Sequence, residues 1–130
     1  MNKIIIDGEN AVAGRLGSYA AKELLKGNEV VIINAEKAII SGRKENIAGR
    51  LKTLRKKGGS SQKGPIVSKL PDRLLKRMIR GMLPWDRTKG RQAYKRLRCY
   101  IGNRSNEKAK KLEYQMPKKY ITIKQLSELL

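Results

Sequence analysis

The first third of the chain places a helical stripe between two apolar runs. Residues 4–6 are three isoleucines and residues 29–33 are a second apolar run without polar alternation, so both are typical of buried strands. The segment between them has apolar residues at helical spacing, followed by a Gly-Asn stop: Leu16, Ala20, Leu24, Gly27 and Asn28. We therefore expect a β-α-β unit, which joins two parallel strands.

Apolar stripes also predict three helices in the middle of the chain. The first runs from Arg43 to Gly58, because Ile47, Leu51 and Leu54 share one side. The second begins at Pro71-Asp72, since proline is tolerated in a first turn and aspartate favours the positive end of a helix. Its apolar stripe is Leu75, Met78, Ile79 and Met82. A third, short helix is expected around residues 91–96.

The remaining segments predict shorter elements. Residues 37–40 form a third, short extended piece, and residues 97–101 a last strand. Residues 104–119 lack apolar periodicity and are expected to form an extended tail. Thr122 and Gln125 have the spacing of a capping box, so the chain is expected to end in a short helix.

The expected fold class is therefore α/β. We predict a single small domain over residues 1–102, with a mostly parallel four-stranded sheet flanked by helices and with basic loops. Residues 103–130 are expected to form a basic C-terminal extension that contains the short terminal helix. A chain of 130 residues is the usual size of one domain, which agrees with this prediction.

The charge is large and unevenly distributed. The chain has 31 Lys and Arg against 11 Asp and Glu, a net charge of +20. Residues 1–42 are neutral, residues 43–104 carry +17 and residues 105–130 carry +3. A charge of this size destabilises a compact chain through self-repulsion unless a polyanion neutralises it. The pattern indicates a nucleic-acid surface on the middle segment.

Composition excludes several other classes of protein. There is no His and only one Cys, so imidazole catalysis, a disulfide within the chain and a structural zinc site are all excluded. We expect no metal and no cofactor. The longest apolar run is residues 30–33, which is too short for a membrane span. These features predict a soluble intracellular protein without a membrane partner.

Residues that suggest catalytic or nucleotide-binding sites do not form motifs. Gly14 and Gly17 follow the first strand, but the G-x-G-x-x-G pattern of dinucleotide sites is absent, so we expect them to serve tight helix–sheet packing. No pair of carboxylates has a motif spacing, and we expect internal ion pairs for Asp7, Glu9, Glu36 and Glu45. Cys99 is expected to be a small buried hydrophobic residue. We therefore predict neither an enzyme nor a small-molecule substrate.

Residues 80–91 are the most distinctive stretch of the chain. A basic helix ends at Gly81, and the only Trp, Trp85, follows Pro84 in a turn with Arg on both sides. Such a turn suits docking to phosphates, and Trp85 has two interpretations: stacking on a base or an Arg plane, or packing in the core. Met82 and Leu83 are expected in the core.

At these residues the sequence resembles the large-subunit ribosomal protein L13 family. The diagnostic stretch consists of residues 79–84, then five residues, Gly90-Arg91, five more residues, and residues 97–102. Upstream segments are also similar to the family: Asp7, residues 14–17, residues 20–22, residues 31–36 and residues 40–42. Residues 63–65 and 71–73 are closer to its archaeal and eukaryotic branch. The sequence departs from the family at Cys99, usually aliphatic, and at residues 66–68, where that branch has an aromatic residue and a His.

The resemblance implies a structural constituent of the large ribosomal subunit in the cytoplasm. Its expected partners are large-subunit ribosomal RNA and neighbouring ribosomal proteins, and its expected roles are rRNA binding, subunit assembly and translation. The basic residues are expected to neutralise phosphates, with RNA shape and a few splayed bases supplying specificity. The expected rRNA-binding residues are Arg43, Lys44, Arg50, Arg55, Lys56, Lys57, Lys63, Arg73, Arg77, Arg80, Trp85, Arg87, Lys89 and Arg91.

Two other functions remain open from the residues themselves. A general DNA- or RNA-binding chromatin or regulatory protein predicts a symmetric dimer and a recognition helix, and neither is evident in the sequence. A nucleotide-dependent enzyme on the β-α-β unit predicts saturable nucleotide binding at the turn around Gly14.

Overall fold

The structure, a computed structural model, describes residues 2–58, 70–102, 109–111 and 117–129, without the side chains of residues 54–58 and 111. The strands in these ranges are β1 (Lys3–Asp7), β2 (Glu29–Ile33), β3 (Ile39–Ser41), β4 (Leu97–Cys99), β5 (Lys110–Lys111) and β6 (Tyr120–Thr122). The helices are α1 (Ala13–Leu25), α2 (Lys44–Gly58), α3 (Pro71–Arg80), α4 (Thr88–Lys95) and α5 (Ile123–Leu129). None of the described helices is long and apolar enough to cross a membrane.

A parallel sheet with the strand order β4-β2-β1-β5 lies at the centre of the fold. β1 and β2 pair along their whole length, from Lys3 opposite Glu29 to Asp7 opposite Ile33. β4 pairs with the other edge of β2, and the two-residue β5 pairs with β1. The α/β class is confirmed, and so is the β-α-β unit formed by β1, α1 and β2. The fourth strand comes from the segment that was expected to be an extended tail.

Both faces of the sheet contribute to the core. Ile6, Val30, Ile32 and Leu97 are buried on one face, where they pack with α1 and α3. Ile5, Val31 and Ile33 are buried on the other face, with Tyr100 and Ala109 packed beside them. β2 is therefore covered on both faces, as its uninterrupted apolar run predicted.

The third extended piece does not belong to the parallel sheet, which corrects the expectation for residues 37–40. Asn34 has a left-handed backbone (φ 54°) and begins a 3-10 turn over Ala35–Lys37. This turn follows the interior strand β2 and leads the chain out of the parallel sheet. β3 then pairs antiparallel with β6, with Ile40 opposite Ile121. A single parallel bridge joins Ile39 to Val12.

The capping box at the start of α5 is confirmed. The Thr122 backbone N–H donates to Gln125 Oε1, and the Gln125 backbone N–H donates to Thr122 Oγ1, both at 3.1 Å. Ile123 and Leu126 of this helix are fully buried, and the helix packs against α2 and α3. The terminal helix therefore docks on the same core as α2 and α3, the two described helices with the most Lys and Arg residues.

Candidate nucleic-acid interface

Helix α2 presents its cations on the side away from the core. Ala48 is buried together with Ile121 and Leu126, and Ile47 and Leu51 pack beside them. These positions recur at helical spacing, so the remaining positions of the helix face outward. The exposed cations of this surface are Arg43, which precedes the helix, and Lys44, Arg50 and Lys52.

Four of the sequence-predicted residues lie where the structure gives no side chain. Arg55, Lys56 and Lys57 belong to the last turns of α2, and only the backbone of these residues is described. Lys63 lies outside the described residues. Contacts by these four side chains to RNA therefore stay predictions.

Helix α3 has a buried side and a basic side. Leu74, Leu75 and Ile79 are buried, while Arg73 and Arg77 are exposed. Lys76 and Arg80 are half-buried on the same outer side, since residues three and four apart share one helix face. The helix begins at Pro71, as predicted, and ends at Arg80.

The end of α3 corrects two sequence predictions. Met82 lies just beyond the helix and is 39% exposed, whereas Leu83 is buried as expected. A Cβ added at Gly17 of α1 would come within 2.8 Å of Met82 Sδ. Gly17 therefore serves close packing between α1 and the exit from α3, and nothing lies within 4 Å of a Cβ added at Gly14, so neither glycine serves the helix–sheet packing that was expected.

A groove of about 420 Å³ lies between β3, α2 and Met78 of α3. Arg43 and Arg50 line it from the α2 side, and Met78 lines it from α3. Ile47 and Leu51 contribute apolar surface to it. The cations of this groove therefore come from the α2 side, and α3 reaches it through Met78; we call it the helix groove.

Trp85 lies at the surface within a set of stacked side chains. It is 38% exposed, so it does not pack in the core. The Arg80 guanidinium lies over its ring, 4.1 Å from the ring centroid, and Tyr94 meets it edge-on at 5.2 Å between centroids. Lys76 Nζ lies 4.8 Å from the centroid of Tyr94. Arg80 and Lys76 are therefore held against aromatic rings, while more than a third of the Trp85 surface stays accessible.

Arg91 stabilises the turn that carries Trp85. Its Nε donates to the Trp85 carbonyl at 3.0 Å, and its Nη2 donates to the Asp86 carbonyl at 3.3 Å. Gly90 beside it is buried against the backbone of Pro84. Arg91 was predicted to contact phosphate, and the structure adds a positioning role for it. Arg87 and Lys89 are exposed at the start of α4.

Cys99 is buried in β4 and unsuited to nucleophilic chemistry. Burial raises the pKa of its thiol to about 12, an effect that outweighs the opposite influence of the nearby Lys76 ammonium. Burial was predicted for this residue. Its positively charged neighbours do not activate it.

Two of the four candidate carboxylates accept hydrogen bonds from amides. Asp7 Oδ1 accepts from Asn34 Nδ2 at 3.0 Å, and the nearly buried Glu36 accepts from the Gly102 backbone N–H at 3.0 Å. Such hydrogen bonds satisfy part of the hydrogen-bonding capacity of these carboxylates. The ion pairs expected for Asp7, Glu9, Glu36 and Glu45 stay predictions. Within the described residues, no three side chains of His, Cys, Asp or Glu gather in a way that would hold a metal ion.

Sequence reasoning missed Lys118 and Lys119. The pairing of β3 with β6 brings them beside Arg43 and Lys44, and all four are exposed. The only local signal is their position just before the β-branched run 121–123. A pairing between residues about 80 positions apart is not visible in that signal.

Comparison with known proteins identifies a family for this sequence. The model of the family described as "Ribosomal protein L13" matches residues 1–106. The "Large ribosomal subunit protein uL13" of Methanopyrus kandleri is 50% identical over 99 residues, which are 75% of this chain and 61% of that protein. The chain therefore matches only about three fifths of that relative's length.

Two other relatives match over nearly their whole length. The protein of the same name from Methanocaldococcus jannaschii is 40% identical over 131 residues, covering 97% of this chain and 96% of that protein. The one from Picrophilus torridus is 42% identical over 133 residues, covering 98% of this chain and 96% of that protein.

Proposed function

Because the chain belongs to the ribosomal protein L13 family, we propose that it is a structural constituent of the large ribosomal subunit that binds folded large-subunit rRNA. The family is a structural, non-enzymatic component of the ribosome. The chain works in the cytoplasm as part of that particle. Its partners are ribosomal RNA and neighbouring proteins of the subunit, and it supports subunit assembly.

The observation that carries the rRNA contact is the arrangement of cations around the helix groove. The exposed Arg43 and Arg50 of the α2 side line the groove together with apolar residues, and α3 carries the exposed Arg73 and Arg77 on its outer side, while the opposite sides of both helices are buried. Cations on two connected elements match the regular spacing of phosphates along a nucleic-acid backbone. Arginine favours this role because its guanidinium binds phosphate through two hydrogen bonds.

The remaining predicted residues extend this surface in two directions. Arg73 and Arg77 continue it along α3, and the exposed Arg87 and Lys89 continue it past the turn that carries Trp85. RNA is recognised through its shape and through unpaired bases that stack on aromatic side chains. Trp85, which is exposed and held by Arg80 and Tyr94, is positioned to receive one such base.

The test is filter binding of the full chain to protein-free large-subunit rRNA from Methanocaldococcus jannaschii over a series of KCl concentrations. With about 6–10 phosphates neutralised, the affinity is expected to fall roughly 10³–10⁵-fold between 50 and 200 mM KCl. Random-sequence duplex DNA of the same nucleotide concentration is the competitor. Equal affinity for that DNA would favour the chromatin or regulatory function, and a flat salt dependence would contradict the electrostatic mechanism.

A pair of charge reversals tests the surface itself. Arg50→Glu with Arg73→Glu removes one exposed cation from the α2 side and one from α3. We expect the affinity for rRNA to fall by at least about 25- to 60-fold at 0.1 M KCl. This factor is what two phosphate contacts contribute to the binding constant at that salt concentration. The matched control is Lys22→Glu with Lys37→Glu, two exposed lysines in the neutral first 42 residues. An equal loss of affinity in both variants would mean that net charge, and not this particular surface, determines rRNA binding.

A further inference from the structure

A second groove lies where the C-terminal part of the chain meets the start of α2. It has a volume of about 480 Å³, and its lining includes Arg43, Lys44, Lys118, Lys119, Glu45 and Tyr120. We propose that this C-terminal groove binds the phosphate backbone of RNA, so that residues 118–120 extend the RNA-contacting surface. The proposal rests on the proposed function and adds to it a site built from two distant parts of the sequence.

The pairing of β3 with β6 holds the two halves of the groove together. Ser41 is opposite Tyr120 in the register, and the Gly42 backbone N–H donates to the Lys119 carbonyl at 3.0 Å. Because β3 leads directly into Arg43 and Lys44, while Lys118 and Lys119 lead into β6, both pairs of cations emerge at the same end of the ladder. The fully buried side chain of Ile123, immediately after β6, anchors this arrangement in the core.

The charges around the C-terminal groove are strongly unbalanced. Among the described residues that line it, four are cations and one, Glu45, is a carboxylate. All four cations are exposed, and within the described ranges no hydrogen bond or ion pair engages their side chains. Like charges gathered in this way repel one another, and a bound polyanion removes that cost. Tyr120, which is 47% exposed, adds an aromatic surface at the same place.

Continuity with the helix groove favours RNA over an acidic protein segment as the occupant. Arg43 lines both grooves, so the C-terminal groove and the helix groove form one basic path over the surface. A phosphate backbone carries a charge at every nucleotide and is able to follow such a path from one groove to the next. An acidic peptide would need only one of the two grooves.

The test compares Lys118→Gln with Lys119→Gln in one chain against the control Lys22→Gln with Lys37→Gln. Both variants remove two exposed positive charges, and both are checked for unchanged thermal unfolding. Filter binding to protein-free rRNA of Methanocaldococcus jannaschii is measured from 50 to 200 mM KCl. Loss of two phosphate contacts is expected to reduce the slope of log affinity against log salt by about 1.4–1.8. The ratio of wild-type to variant affinity is therefore expected to be about 7- to 12-fold smaller at 200 mM KCl than at 50 mM KCl.

Each outcome bears on a different claim. A reduced slope in the Lys118 and Lys119 variant, with the control unchanged, supports the C-terminal groove as an RNA site. A wild-type slope in that variant, or an equal reduction in the control, overturns it while the proposed function stands. Failure of the wild-type chain to bind rRNA contradicts the proposed function itself. If the variant binds rRNA normally but no longer enters large subunits, the groove receives a protein and not RNA.

Discussion

Gly90 offers a sharp test of how the turn around Trp85 is built. Gly90 is the third residue of α4 and is buried against Pro84. A Cβ at this position would overlap the carbonyl carbon and oxygen of Pro84 and come within 3.0 Å of its nitrogen. These are backbone atoms, and the same carbonyl accepts a hydrogen bond from the Arg87 N–H at 3.1 Å. Alanine at position 90 therefore requires the two backbone segments to separate by about 1 Å or more.

The expected change in the free energy of unfolding of Gly90→Ala follows from two opposing effects. Overpacking of a rigid contact costs about 3 kcal/mol, and the higher helix propensity of alanine returns at most about 1 kcal/mol. Gly90→Ala is therefore expected to lower the free energy of unfolding by about 2 kcal/mol. For a domain of this length, that corresponds to a Tm about 7 °C lower.

Gly49→Ala is the matched control because it makes the same chemical change in an exposed helix. Nothing lies within 4 Å of a Cβ added at Gly49 of α2, so only the propensity gain applies. We expect it to raise the Tm by about 4 °C. Both variants are measured by circular dichroism at 222 nm without RNA. A Tm for Gly90→Ala at or above that of the wild type would refute the packing of Gly90 on Pro84.

Three further predictions concern single residues. Since burial raises the pKa of the Cys99 thiol to about 12, from 9.0 when it is solvated, Ellman's reagent at pH 8 should label the folded chain about 1000-fold more slowly than the unfolded chain; equal rates would contradict the burial. Arg96 Nη2 donates to the Leu24 carbonyl at the end of α1 at 2.7 Å, so Arg96→Leu should lower the Tm by about 5–10 °C, whereas the exposed Arg98→Leu should leave it nearly unchanged. Trp85→Ala should weaken rRNA binding by about 1–3 kcal/mol without changing the salt slope, because stacking releases no counterions. An unchanged affinity would exclude base stacking at Trp85, and a changed slope would show that Trp85 acts through the Arg80 guanidinium that it holds.

The local elements were largely predictable from the sequence. A pattern of about a dozen residues or fewer is enough to predict each of three elements: β1 from its isoleucines, β2 from its apolar run and α1 from its apolar stripe. Pro71 and the pair Thr122 and Gln125 mark helix starts through short-range chemistry, and the structure has helices beginning at those places. These signals work because backbone geometry and capping depend on near neighbours.

The pairings between distant segments were not predictable in the same way. β5 joins the sheet beside β1, and β6 pairs with β3, although neither segment has a distinctive pattern. Which strand lies beside which depends on burial of the complete core, and a periodicity contains no information about that. Met82 was placed in the core because a helical stripe was extended past Gly81, where the helix has already ended.

In the candidate site too, local features could be predicted from the sequence and contacts between distant segments could not. The outward direction of the cations of α2 and α3 follows from the apolar stripes, so their exposure could be predicted. The role of Arg91 in holding the Trp85 turn could not, because it depends on how α4 returns toward Pro84. Lys118 and Lys119 became candidates only through the pairing of β3 with β6.

Sedimentation of a native cell lysate, at low and at high salt, tests the central claim most directly. The chain is followed through a sucrose gradient with an antibody, with and without ribonuclease treatment. We predict that it sediments with the large ribosomal subunit at low salt and leaves it only at high salt, since phosphate contacts weaken as salt rises. A chain that stays at the top of the gradient at low salt, or that follows DNA after ribonuclease treatment, would contradict the assignment to the large subunit.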